Sequence, residues 1–189
     1  MTKEIEITTP LTQQVLESIH SGDRILISGI LYTARDAAHA LMVKELNQGG
    51  ALPFDIKGQI IFYCGPTPAR PGRPIGAIGP TTSYRMDPFT PQMLEAGLKG
   101  MIGKGPRDLE TRKAMTEYKA IYCVATGGGA ALLSRCVKKS EIIAYEELGA
   151  EAVRRVEVER FPVICVNDIN GNDLFETARA EYALESNYF

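Results

Sequence analysis

The chain is expected to form an α/β domain with a mixed set of strands. Three observations carry this expectation. Apolar runs with alternating or continuous burial patterns recur along the chain, helically spaced stretches lie between them, and the connections are short and rich in Gly and Pro. With 189 residues, 44% of them hydrophobic and 23% charged, the chain can bury one sizeable core. No long linker or internal repeat interrupts 1–189, so a single domain is expected.

Residues 4–11 (EIEITTPL) alternate polar and apolar side chains and predict a strand, and 12–19 (TQQVLESI) a short amphipathic helix. A strand is expected at 23–31 (DRILISGIL) and a helix at 34–46, with Thr33 as its N-cap. Residues 58–63 (GQIIFY) read as a buried strand. It runs into 64–87, a segment dense in Pro, Gly, Arg and Thr. That segment cannot be helical, because proline removes donors and glycine loosens φ. Within it, 74–78 is a candidate short strand. Residues 90–101 open with Thr and Pro, a favourable helix start, and 103–106 (GKGP) read as a tight turn. A helix at 108–118 and a strand at 120–125 follow. Gly127–Gly128–Gly129 then leads into a helix of small residues at 130–137. Residues 141–145 and 153–158 read as strands, the second also open to a helical reading, and 161–167 (FPVICVN) as a buried strand. The DINGND run at 168–173 predicts a hairpin-type turn, and the last fifteen residues a peripheral helix or tail.

Bulk properties narrow the function. The net charge of -2 gives no general case for a nucleic-acid partner, and no run approaches the roughly 20 apolar residues of a membrane span. The start, MTKEIEITTPL, has no apolar signal core, so a cytoplasmic location is expected. Cys64, Cys123, Cys136 and Cys165 are far apart and form no CxxC pair. They read as reduced and mostly buried, and as no metal or cluster site of this chain's own.

Residues 64–87 contribute little core, and arginine forks match carboxylates and phosphates at two points. The segment is therefore read as shaping a site for a small multiply charged anion. Charge distribution agrees: residues 61–107 hold Arg70, Arg73, Arg85, Lys99, Lys104 and Arg107 against only Asp87 and Glu95. Arg35 lies at a strand-to-helix junction, where free N–H groups add to a positive field, although pairing with Asp36 or Glu45 explains it equally. Thr81, Thr82, Ser83 and Arg85 offer three hydroxyls and a guanidinium to one ligand, or else cap a turn. Lys104 sits between glycines without matching a phosphate loop, and is otherwise an exposed turn lysine. Gly127–Gly128–Gly129 is either an anion nest or a close helix–sheet contact. His20 and His39 have no metal-ligand partner at useful spacing, but His39 shares a helix face with Arg35. Tyr145–Glu146–Glu147 reads as a solvated face.

Taken in order, TARDAAH, YCGPTPARPGRPIGAIGPTTSYRMD, MIGKG, TGGGAALL and YEELGAEAVRRVEVERFPVICVNDINGNDL closely resemble one family. It is the β subunit, or C-terminal domain, of class I iron–sulfur-dependent fumarate hydratase and L(+)-tartrate dehydratase. The likeness spans roughly residues 11–175. It implies a swivelling β/β/α domain with a mixed sheet. It also implies an α-subunit partner whose three cysteines hold a [4Fe–4S] cluster, in a β–β or α2β2 assembly acting on a C4 dicarboxylate. Matching the motifs residue by residue implies Arg35 at a substrate carboxylate. It implies Thr81, Arg85 and Lys104 as catalytic groups, and Thr82 in the substrate-binding set. Thr81 is implied beside the proton-transfer position, next to an aspartate of the partner. Residues 83–84, between TT and RM, vary in the family and carry no expectation. The implied activity is reversible hydration of fumarate to L-malate. L(+)-tartrate dehydration and a non-catalytic small-anion-binding module remain open as alternatives.

Overall fold

In a computed structural model, which describes residues 4–183, the chain alternates strands and helices. The order is β1 (Glu4–Thr8), α1 (Gln13–Glu17), β2 (Arg24–Thr33), α2 (Asp36–Asn47), β3 (Ile60–Phe62), a 3-10 turn (Ser83–Phe89), α3 (Thr90–Glu95) and β4 (Gly100–Gly103). Then come α4 (Leu109–Glu117), β5 (Ile121–Val124), α5 (Ala130–Leu133), β6 (Val137–Ala144), β7 (Val153–Asn167) and α6 (Leu174–Tyr182). Among the described residues no helix is long and apolar enough to cross a membrane.

The strands bond in the order β1-β2-β3-β4-β5-β7-β6, and β2 also pairs with β7. That extra pairing closes β2, β3, β4, β5 and β7 into a circuit. Length makes closure possible. One edge of β2 lies antiparallel along β7 from Arg24↔Ile164 to Thr33↔Arg154, while its other edge is divided between β1 and β3. The far edge of β7 is likewise divided between β6 and β5. Neighbours from β1 to β5 run parallel, and β7 is antiparallel to everything it touches, giving the expected mixed sheet.

Side-chain alternation sorts the apolar residues into two cores. Ile60, Phe62, Ile102, Ile121 and Cys123 point into the circuit, and Phe62 meets Phe161 of β7, a strand not bonded to β3, with ring centroids 5.3 Å apart. Ile61, Tyr63, Met101 and Tyr122 point outward, onto Ala38 and Met42 of α2, Met93 and Leu94 of α3, and Ala114 and Met115 of α4. A seven-stranded mixed sheet backed by helices is the α/β class that was expected.

Several expectations need correction. Thr33 does not cap α2. β2 continues through Tyr32 and Thr33 to pair with β3, so the cap falls on Arg35, and the Thr33 hydroxyl is buried without a hydrogen-bond partner. The helix expected at 90–101 stops at Glu95. Gly97 takes φ +116, the left-handed region open to glycine, and the chain turns into β4. The small-residue helix lasts one turn, and β6 begins already at Val137. The strand readings at 153–158 and 161–167 hold but merge into one strand, bent where Arg160 adopts φ 50. The candidate strand at 74–78 is irregular. DINGND is no hairpin: it joins β7 to α6. Asp168 accepts hydrogen bonds from the N–H groups of Ser21, Asn170 and Asn172, and these outweigh burial to hold its carboxyl below the usual range.

One ion pair ties the 3-10 turn to the chain leaving β4. The Arg107 side chain is fully buried. It donates from Nε to Asp87 at 2.5 Å and from Nη2 to Thr90 at 2.7 Å, and lies against the rings of Tyr63 and Tyr122. Asp87 Oδ2 also accepts the Asp108 N–H at 3.0 Å. Burial disfavours the charge on Arg107, but Tyr63 and Asp87 outweigh it and hold the pKa above its ordinary value.

Removing one partner of such a pair strands a buried charge, at about 3–5 kcal/mol. Arg107→Met is expected to lower urea-unfolding stability by that order, and Asp87→Asn combined with Arg107→Met by clearly less. Equal loss in the single and double variants would refute the pairing account.

Candidate functional site

β2, β3 and β4 run parallel, so their carboxyl ends share one rim, the edge at which ligands bind in open parallel sheets. Arg35 follows β2, Cys64 and Gly65 follow β3, and Lys104 follows β4. The 64–87 segment leaves this rim and returns to it. The Thr81 N–H donates to the Tyr63 carbonyl at 2.6 Å, and Thr82 forms an isolated parallel bridge with Lys104. The Lys104 N–H donates to the Thr81 carbonyl at 3.2 Å, and the Ser83 N–H to the Lys104 carbonyl at 2.9 Å. Backbone bonds therefore set Thr81 and Thr82 beside Lys104.

Arg35 and Arg85 meet on the other side of the same turn. Arg85 Nη2 donates to Asp36 Oδ2 at 2.8 Å, and Arg35 Nε stands 3.9 Å from Asp36 Oδ1. Arg35 Nη2 also contacts Glu151 at 3.1 Å, so its partners are Asp36 and Glu151 rather than Glu45. Asp36, not Arg35, occupies the first helical turn, where a carboxylate suits the dipole. The five expected residues thus fall into two groups, Arg35–Arg85 and Thr81–Thr82–Lys104, linked by residues 82–85. Arg35, Thr81 and Thr82 are half-buried, whereas Arg85 and Lys104 are exposed.

Beneath the rim is a hydrogen-bonded chain that carried no sequence expectation. The Lys104 N–H donates to Ser83 Oγ at 3.1 Å. Tyr122 Oη donates to the Gly105 carbonyl at 2.7 Å, so Ser83 is the donor to Tyr122 at 2.8 Å. Burial raises the Tyr122 pKa well above its ordinary value, which keeps this phenol a donor. The same packing requires Gly103, where an added Cβ would lie 2.0 Å from Ser83 Oγ. Nothing in the apolar run AIYCVA marks its tyrosine as polar-bonded, and Ser83 lies between the two more conspicuous residues, Thr82 and Arg85.

His39 locks the turn that carries Arg35. Its backbone N–H and its ring Nδ1 both reach the Arg35 carbonyl, at 2.9 and 2.8 Å. That carbonyl can only accept, so Nδ1 carries the proton and Nε2 is left buried and unpaired. Burial lowers the His39 pKa to about 4, Arg107 acts the same way, and the bond to Arg35 opposes both.

The 64–87 segment does not serve one site. Arg85 joins the rim, while Arg70 and Arg73 line a separate cavity that includes none of the five expected residues. Arg107 is a buried structural cation paired with Asp87, and Lys99 is turned to the Tyr118 carbonyl, away from the five expected residues. Gly127–Gly128–Gly129 is not the close helix–sheet contact either: a Cβ at Gly127 or Gly128 would meet nothing within 4 Å. Cys64, Cys123 and Cys165 are buried free thiols and Cys136 is half-buried. Among the described residues no group of three or more His, Cys, Asp and Glu is placed to hold a metal ion.

Residues 1–178 match the family model described as "Fumarase C-terminus". "Fumarate hydratase 1, mitochondrial" of Leishmania major is 41% identical over 155 residues, covering 81% of this chain and 28% of that protein. "Fumarate hydratase class I, aerobic" of Escherichia coli K12 is 36% identical over 155 residues, again 81% and 28%. "Putative L(+)-tartrate dehydratase subunit beta" of Methanocaldococcus jannaschii is 35% identical over 172 residues, covering 88% of each chain. The chain therefore spans less than a third of the two fumarate hydratases and most of the subunit-length relative.

Tyr122→Phe leaves the Ser83 hydroxyl and the Gly105 carbonyl short of a partner in a buried setting. A loss of about 1–3 kcal/mol is expected in urea unfolding, and an unchanged midpoint would refute the network. His39 makes stability fall on acidification. Its folded pKa lies below the unfolded value of 6.5, so between pH 6.5 and about 4 the unfolded chain binds the extra proton. His39→Asn keeps a donor for the Arg35 carbonyl but does not titrate. The unfolding free energy of the variant should vary less with pH across that window, by up to about 1.4 kcal/mol per pH unit.

Proposed function

The chain belongs to the Fumarase C-terminus family, and on that premise we propose that it is the substrate-gripping component of a hydro-lyase. The reaction is reversible hydration of fumarate to L-malate, carried out with an α-type partner, and chain 1–189 acts as a single domain within the assembly. The observation that carries this reading is that Arg35, Arg85, Thr81, Thr82 and Lys104 all stand at the carboxyl-end rim of β2, β3 and β4, in two groups joined by residues 82–85. A doubly charged acid needs cationic contacts fixed in advance, since charge-assisted bonds gain most when no side chain has to be reorganised.

Arg35 and Arg85 bind a substrate carboxylate. Asp36 takes one of the donors of Arg85 and keeps the guanidinium oriented; the remaining donors face the ligand. Lys104 supplies a point charge beside the hydroxyl-bearing carbon. Hydration adds a proton at one carbon of the double bond, and the Thr81 hydroxyl handles that proton. An unassisted threonine is a weak base, so an acidic group of the partner must share the transfer. As negative charge spreads onto the substrate carboxylate in the transition state, the same cations stabilise it.

Class I fumarate hydratases are iron–sulfur enzymes by the resemblance, but the cysteines here do not fit that role. Three are buried in the core inside the strand circuit, and the fourth, Cys136, packs against that core from the short helical stretch before β6. We assign the [4Fe–4S] cluster to the partner. The name of the Methanocaldococcus jannaschii relative, "Putative L(+)-tartrate dehydratase subunit beta", supports an α-type partner; α2β2 or β–β pairing and a cytoplasmic setting are part of the same proposal. That relative's name also favours L(+)-tartrate as the second substrate reading.

Reconstitution with the cluster-loaded partner tests the proposal. The isolated chain should be inactive, and the complex should hydrate fumarate. Arg85→Ala should lower kcat/KM at least about a hundredfold with the complex still assembled, in line with losing a charge-assisted contact. Iron-free turnover by the isolated chain, or wild-type rates for Arg85→Ala, would refute it. Kinetics on both acids separates fumarate from tartrate.

A further inference from the structure

Residues 67–77 form a loop with no part in the rim. Its ends are clamped: the Thr67 N–H donates to the Ala77 carbonyl at 3.0 Å, and Thr67 Oγ1 accepts the Ala77 N–H at 2.8 Å. The strands of this clamp lie so close that a Cβ on Gly76 would stand 2.2 Å from the Thr67 carbonyl oxygen. Ile75 and Ile78 anchor the loop in the core, and the Ile78 N–H donates to the Ala130 carbonyl at 3.1 Å. At the tip, the Arg73 N–H donates to the Arg70 carbonyl at 3.0 Å, with Pro68, Pro71 and Pro74 fixing φ around it.

This clamped loop and the short helical stretch before β6 enclose a cavity of about 300 Å³. Arg70 and Arg73 enter it from the loop and Arg135 from the other wall, together with Thr67 and Ser134, and no Asp or Glu lines it. Among the described residues none of the three arginines has a carboxylate within ion-pair distance, whereas Arg35, Arg85 and Arg107 all do. Three arginines line this one cavity in a chain of net charge -2, from segments some sixty residues apart in sequence. Like charges gathered without a counter-charge repel one another, and a multiply charged oxyanion removes that repulsion while filling the planar donor forks. The volume is at the small end of ligand pockets, with room for a small polyanion such as a diphosphate or a short polycarboxylate.

We infer that the Arg70–Arg73–Arg135 cavity is a second anion site, separate from the rim, that takes a small oxyanion with two or more charges. Its scaffold is already ordered by the Thr67–Ala77 clamp, so binding costs little loop entropy. The loop continues through Ile78, Gly79 and Pro80 to Thr81, so an occupied cavity adjoins the segment that feeds the rim.

Calorimetric titration of the full chain at low ionic strength, with pyrophosphate in one arm and citrate in the other, tests the inference. At least one probe should bind at one site per chain, and the tighter of the two identifies the ligand as phosphate-type or polycarboxylate. Arg73→Ala combined with Arg135→Ala should weaken that binding at least about tenfold, while Arg85→Ala leaves it unchanged. These side chains are exposed, and circular dichroism checks that the double variant stays folded. The inference fails if neither probe binds the wild-type chain, if the double variant binds as the wild type does, or if Arg85→Ala removes the binding.

Discussion

The Arg107–Asp87 pair is the interaction on which the rest of the site depends. It is buried beneath the rim, where an unpaired charge is costly, so neither residue can leave its partner. Asp87 belongs to the 3-10 turn that bears Arg85, and Arg107 to the chain that has just placed Lys104. A second tie, from Lys104 through Ser83 and Tyr122 to Gly105, fixes the same two segments, with the Tyr122 ring against Arg107. Together they make the rim rigid without using any of its outward-facing donors.

Rigidity below contrasts with openness above. Arg85 and Lys104 are exposed, and the cavities of about 420 and 300 Å³ that border the 64–87 segment are lined by neither of them. Asp36 and Glu151 hold the two rim arginines at modest cost, as partly exposed ion pairs do. Water screens such a face, and only closure by another surface would strengthen its electrostatics.

Much of the fold was legible because alternation and helical spacing are local signals. The first strand and its helix, the strands around Ile60 and Ile121, and the helix after Asp108 were read near their observed positions. Failures came where a distant partner outweighed local preference. Thr33 looked like a cap until β3 extended β2 past it, and LKGM looked helical until Gly97 turned the chain to lie beside Ile60. DINGND had the composition of a hairpin turn, yet Asp168 uses it to receive N–H groups on the way into α6.

The sequence by itself determined the mixed α/β class, the rim cations as individual residues and, through its ordered motifs, the family. Those properties lie in residue type and spacing along the chain. Tertiary structure alone decided which arginines act together. Arg85 was drawn to Asp36, Arg107 was buried as a strut, and Arg70 and Arg73 were sent to a different cavity. Charge counted along a sequence cannot make that division. An ion pair depends on distance and solvent exposure, and both arise only when strands far apart in the chain close into one circuit.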